Sequence, residues 1–178
     1  MDLLLHMCCG PCSTYSCKRL LELGYNLSGY FYNPNIHPYQ EFLRRQKALE
    51  QFCAEEEIPL QVSADYQPEE YFKRTIDDLE SRCLYCYRLR LEETAKKAKE
   101  LAIPNFATTL TISPYQNHEL LRREGEKAGE RHNVKYIYVD LRAGFRESVN
   151  LSRAMGLYRQ SYCGCIFSEK ERYCKEKG

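Results

Sequence analysis

Short apolar and aromatic runs, each followed by a longer stretch of helical period, recur along the chain, and this alternation restricts its fold more than any other feature. The run LLLHM (3–7) breaks at Gly10 and Pro11, after which STYSCKRLLELG carries apolar residues at helical spacing until Gly24. SGYFYNP (28–34) restores strand character with aromatics, YQEFLRRQKALEQFCAEEE has a helical period, and PLQVS (59–63) reads as strand again. A helical stretch from Glu69 to Leu79 leads into RCLYCYRLRLEETAKKAKELA, where Leu89, Leu91, Thr94, Ala95, Ala98 and Leu101 form a stripe suited to burial. NFATT and YIYVD supply two further strands, separated by a polar helix from Tyr115 to Arg131. Such alternation predicts an α/β fold: a parallel sheet covered on both faces, with right-handed connections. The 178 residues contain no repeat, linker or low-complexity segment, so one domain over 1–178 is expected.

In a sheet of this kind a ligand sits beyond the carboxyl ends of the strands. That rule gathers CCGPC, NPNIHP, ADY, TLTISPYQ and DLRAGF, the segments after the five strands, around one mouth. Lys and Arg number 26 against 25 Asp and Glu, a net charge of +1, so a nucleic-acid partner would have to be held by local basic patches. No apolar run is long enough for a spanning helix, and MDLLLHMCCG lacks the basic start and the length of a signal peptide. A cytoplasmic location without a membrane partner is therefore expected. Ten cysteines in such a chain should stay largely reduced, which points to metal ligation or redox chemistry rather than a disulfide framework.

Cys83 and Cys86 form a CxxC at the start of a helical pattern, where thiolates gain from the helix dipole. With the adjacent Cys8 and Cys9 they make four thiolates from two segments, the number that tetrahedral zinc or a four-iron, four-sulfur cluster requires. Successive side chains on a strand diverge, which suits a cuboidal cluster better than a compact zinc site. Cys12 lies close enough to be a further ligand. YCGC (162–165) reads differently: a Cys163–Cys165 bridge closes a strained, easily reduced ring suited to relaying electrons, the alternative being ligation of a second metal. Cys17, Cys53 and Cys174 sit in helical patterns and are expected to pack.

Basic residues interleave with aromatics in HPYQEFLRRQ, CYRLR, SPYQNHELLRR, DLRAGFRES and GLYRQSY, the combination with which proteins stack on and pair with single-stranded RNA. Arg88, Arg90 and Arg159 are the candidates for RNA contacts. His37 and His118 fall in the mouth segments and are expected to play polar roles; His6 and His132 are expected to be satisfied or solvated.

Taken together, HMCCGPCS, NPNIHPYQEFLRR, CLYCYRLRLEETA, TTLTISPYQ, DLRAGFRES and GLYRQSYCGC closely resemble the cobalamin-independent epoxyqueuosine reductase family QueH, in the right order and over nearly the whole chain. The resemblance implies a three-layer fold like the adenine nucleotide alpha hydrolases (HUP type), with cysteines in place of the ATP-binding loop and hence no ATP use. It implies reduction of the epoxide of epoxyqueuosine at the tRNA wobble position to queuosine, with electrons from an external donor. By position it makes Cys8, Cys9, Cys83 and Cys86 ligands of a 4Fe-4S cluster and Cys163 and Cys165 a redox-active pair. It further implies an additional mononuclear iron held by cysteine and aspartate, for which Cys12, Asp65 and Asp140 are the mouth candidates. The chain differs from common family strings at Gly10, where alanine often stands, and at Gln67, where an acidic residue often does. Two other readings remain: a sulfur-inserting tRNA enzyme on a related fold, which should carry a phosphate-cradling Gly/Ser loop, and a non-catalytic zinc module binding RNA, which has no need of a CGC pair.

Overall fold

The computed structural model describes residues 1–63 and 65–174. Strand β1 (Asp2–His6) leads into helix α1 (Gly10–Glu22), β2 (Asn26–Phe31) into α2 (Tyr39–Glu55), and β3 (Leu60–Val62) into α3 (Pro68–Thr75) and α4 (Arg82–Glu100). β4 (Asn105–Thr108), a 3-10 turn at Thr109–Ile112, α5 (His118–His132), β5 (Lys135–Tyr136), α6 (Phe145–Ala154) and α7 (Ile166–Tyr173) follow. The strands form one parallel sheet in the order β3-β2-β1-β4-β5.

β1 is central, pairing Leu3 with both Leu27 and Asn105, and His6 with both Tyr30 and Thr108. A strand covered on both faces needs an unbroken apolar run, and Leu3, Leu4 and Leu5 are fully buried. The period of two splits them between layers. Leu3 and Leu5 join Leu20, Phe42, Leu49 and Phe52 from α1 and α2. Leu4 joins Leu91, Ala95, Ala98, Leu121 and Ala128 from α4 and α5. The result is the expected three-layer, HUP-type α/β arrangement. The chain winds outward from β1 through β2 and β3, then returns to β4 and β5 on the other side, so the switch point lies between β1 and β4.

Several boundaries differ from the sequence reading. Gly10 and Pro11 do not interrupt the chain but open α1, because proline in a first helical turn lacks only an N–H that would have no intrahelical partner. YIYVD does not form a full strand: β4 gives way at Thr109 to the 3-10 turn and leaves no parallel neighbour, so pairing ends soon after Tyr136. α4 ends at Glu100, and Leu101 of the proposed stripe is exposed at its C-cap while the other five positions are buried. α6 and α7 were not anticipated. Gly10 has a packing reason: a Cβ there would stand 2.6 Å from the Ala48 carbonyl oxygen, so α1 and α2 approach closely at this point. No helix among the described residues is long and apolar enough to cross a membrane.

Candidate active site

The β1–α1 junction brings three sulfurs together. The Sγ atoms of Cys8, Cys9 and Cys12 all lie within 4.8 Å of one another, with 3.7 Å between Cys8 and Cys9. The backbone explains the grouping. Cys9 is the N-cap of α1 in an extended conformation, and Cys12 lies in the first turn, so the helix folds the third thiol back toward the first two. The N-terminal end of the helix dipole favours negative charge here. Thr109 Oγ1 donates to Cys8 Sγ at 3.5 Å, and Gln160 Nε2 donates to the sulfurs of Cys9 and Cys12 at 3.1 and 3.7 Å.

Hydrogen bonds from Cys12 and Cys9 hold the Cys8 thiol well below its ordinary range. Burial pushes Cys9 up, and the bond to Cys8 does the same to Cys12. Three soft donors at this spacing can bind a metal.

Cys83 and Cys86 sit in the first turns of α4, as their pattern predicts, but the structure does not draw them within 4.8 Å of the triad. They lie within electrostatic reach of Cys163 and Cys165. Burial raises both thiols, Cys86 to about 12. All ten cysteines are free thiols, Cys163 and Cys165 included. Cys17 and Cys53 pack in the core as expected, whereas Cys174, the C-cap of α7, is exposed.

The CGC segment is held by side chains rather than by regular structure. Arg45 of α2, buried beneath it, donates from Nη1 to Cys163 O at 2.7 Å and from Nη2 to Tyr162 O at 2.9 Å. Its Nε pairs with Glu41 Oε1 at 2.7 Å, and Tyr158 OH donates to the other oxygen of the same carboxylate at 2.5 Å. His37 accepts the Ile166 N–H at Nδ1 and donates from Nε2 to Pro34 O at 2.9 Å, while its backbone N–H donates to Gly164 O at 2.8 Å. Gly164 adopts φ +155°, and a Cβ there would meet Asn35 and Ile36 at 3.3 Å. Sequence reasoning missed Arg45 and Glu41. Their signal was the (i, i+4) Glu–Arg spacing in EFLRR, here one buried pair rather than a solvated face.

A cavity of about 290 Å³ opens beside the triad, lined by Cys8 and Cys12, by Asn35, by Tyr115 and Gln116, and by Phe145. These come from the segments after β1, β2, β4 and β5; the segment after β3 does not contribute. Residues 160–163 close it, with Gln116 Nε2 donating to Cys163 Sγ at 3.4 Å. Arg90 also lines it and is only 2% exposed, so it meets only what enters the cavity and not the outer surface on which an RNA backbone would lie. Arg88 pairs with Glu124 at 2.9 Å, and Arg159 is exposed. Asp65 and Asp140 are exposed and outside the thiol group; Arg142 grips Asp140 and holds its carboxyl down at about 2. His118 ties Ser113 O to the Tyr138 hydroxyl, His132 pairs with Glu92, and His6 is buried between Thr108 and Tyr32 O.

A doubly wound HUP-type domain whose first strand runs into a thiol cluster, with a small cavity at the switch point, is the class this geometry defines. Within it, the chain matches the family "Epoxyqueuosine reductase QueH" over residues 3–171 and belongs to that family. The epoxyqueuosine reductase QueH of Dehalococcoides mccartyi is 39% identical over 173 residues, 97% of this chain and 95% of the relative. That of Thermotoga maritima is 31% identical, over 95% and 91% of the two chains. A solved structure described as a predicted subunit of a tRNA methyltransferase from Methanocaldococcus jannaschii aligns with a TM-score of 0.61, covering 86% of this chain and 76% of that one. At 19% identity the likeness is one of fold.

Proposed function

We propose that residues 1–178 form one cytoplasmic catalytic unit that reduces epoxyqueuosine at the tRNA wobble position to queuosine. Both epoxide carbon–oxygen bonds break, a carbon–carbon double bond forms, and the oxygen leaves as water with two protons and two electrons from an external donor. The observation that carries this reading is the Cys8, Cys9 and Cys12 group at the wall of a cavity of about 290 Å³. Family membership over residues 3–171 supports it.

The Cys8, Cys9 and Cys12 sulfurs fit a thiophilic metal group; in the cluster assignment Cys8 and Cys9, joined by Cys83 and Cys86 from α4, would hold a 4Fe-4S cluster. Cys12 is the side chain beside them suited to an additional iron. Bound there, such a group supplies single electrons and a Lewis-acidic centre. The chain itself lines the cavity with the aromatic rings of Phe145, Tyr115 and Tyr162. Cys163 lines the cavity within hydrogen-bond reach of Gln116, and its thiol is suited to deliver a proton or, paired with Cys165, reducing equivalents. Arg88 and Arg159 are assigned to tRNA phosphates.

The test is iron, sulfide and zinc content of protein purified without oxygen, followed by mass spectrometry of nucleosides from tRNA incubated with a reductant. Iron and sulfide in near-equal amounts and conversion of epoxyqueuosine to queuosine are expected, both lost in Cys83→Ala and Cys86→Ala. Stoichiometric zinc without sulfide, persisting after attempted reconstitution, overturns the reading.

A further inference from the structure

Among the described residues, six buried side-chain nitrogen and oxygen atoms have no hydrogen-bond partner, and three of them belong to residues lining this one cavity: Arg90 Nη2, Asn35 Oδ1 and Gln160 Oε1. A buried polar atom without a partner is costly, the more so when charged, so three from residues around one cavity call for a ligand that completes them. The polarity of Gln160 and Arg90 is defined by their other bonds. Gln160 spends its amide N–H groups on the sulfurs of Cys9 and Cys12, which leaves its carbonyl oxygen free to accept. Arg90 is anchored by Nε to Cys86 O at 3.2 Å, has no carboxylate partner among the described residues, and keeps its proton at any relevant pH. The wall therefore offers two acceptors and one charged donor.

We propose that this wall grips the cyclopentane ring of the substrate, with Asn35 and Gln160 accepting from its two hydroxyls and Arg90 donating to the epoxide oxygen. The assignment rests on the reductase reading and deepens it, because the two hydroxyls of an epoxy-diol can donate to the two side-chain carbonyls, and its epoxide oxygen, which can only accept, suits the one charged donor. Arg90 has a second duty that only the reaction exposes. Negative charge grows on the oxygen as its bond to carbon breaks, and a fixed guanidinium in a largely apolar cavity stabilises that charge more than the neutral epoxide.

The experiment compares wild type with Arg90→Met, Arg90→Lys, Asn35→Leu and Gln160→Met, reading tRNA affinity, turnover, and metal and sulfide content. Three tRNAs are used, with epoxyqueuosine, queuosine or unmodified guanine at the wobble position. Asn35→Leu and Gln160→Met should each lose about tenfold in affinity for both modified tRNAs, which share the diol, and nothing for the guanine form. Arg90→Met should lower kcat about a hundredfold with a smaller change in KM, and Arg90→Lys should recover part of it. Wild-type turnover with variants that bind and react normally overturns the wall while sparing the reductase reading. Variants whose metal and sulfide fall in step with turnover assign these residues to the thiol site and likewise overturn it. A wild type that neither converts epoxyqueuosine nor prefers modified tRNA removes both.

Discussion

The two cysteine-rich segments are built on opposite plans. Cys8, Cys9 and Cys12 sit where the most buried strand meets a helix, so backbone geometry places their sulfurs and the sheet fixes the backbone. Cys163 and Cys165 sit between α6 and α7 in a segment without strand or helix, pinned by Arg45, by His37 and by the unusual backbone of Gly164. One site is inherent in the fold; the other is tied on by a few charge-assisted hydrogen bonds. Such a division suits a reaction in which one set of thiols holds a group still while another exchanges reducing equivalents with a partner.

The largest expected effect separates the two outright. Cys8→Ala should abolish both metal content and turnover, whereas Cys163→Ala should abolish turnover and keep the metal, both with native circular dichroism; metal loss in both would make the segments one site. Next is the clamp. Arg45→Met leaves the Glu41 carboxylate buried without its partner and should cost about 3–5 kcal/mol in urea unfolding. A cost below about 1 kcal/mol would show that the segment does not depend on it. Gly164→Ala should cost about 1–3 kcal/mol through the strained backbone and the contacts a Cβ makes, slowing turnover while metal content stays at the wild-type level. Equal loss of metal would break the distinction.

The smallest effect is a pH dependence. Burial holds the His37 pKa below its ordinary value against the raising effect of Pro34 O, so the unfolded chain takes up the proton first. The stability this gives is present above the unfolded value near 6.5 and is lost as pH falls through the folded one. The urea midpoint of wild type should therefore drop between pH 7 and 5 by more than that of His37→Gln; parallel curves would remove His37 from the tie.

The sheet and most helices were legible because each rests on a local pattern: the apolar run of β1, the stripe of α4, the CxxC at the opening of that helix. The triad was legible too: Cys8 and Cys9 announce themselves, Cys12 was read as close enough to be a further ligand, and the three sulfurs are grouped. What was misread was the backbone that gathers them, because α1 starts at Gly10 and a Gly-Pro pair reads more readily as a loop. Arg90 was read as an RNA contact and Arg45 was not singled out, since a sequence does not say which face of a helix is covered when the cover is a distant loop. The segment after α6 has no periodicity to read; its shape comes from partners more than a hundred residues away.

The close approach of Gly10 to Ala48 has a consequence for how such a molecule can change over generations. Gly10 adjoins Cys9, and Ala48 lies less than a turn beyond Arg45, so this single contact sets the gauge between the thiols of one segment and the anchor of the other. A methyl group added at position 10 would push α2 outward and carry the Arg45 anchor with it. One methyl is thus a fine adjustment of the spacing between the two thiol groups, available to selection without touching a cysteine.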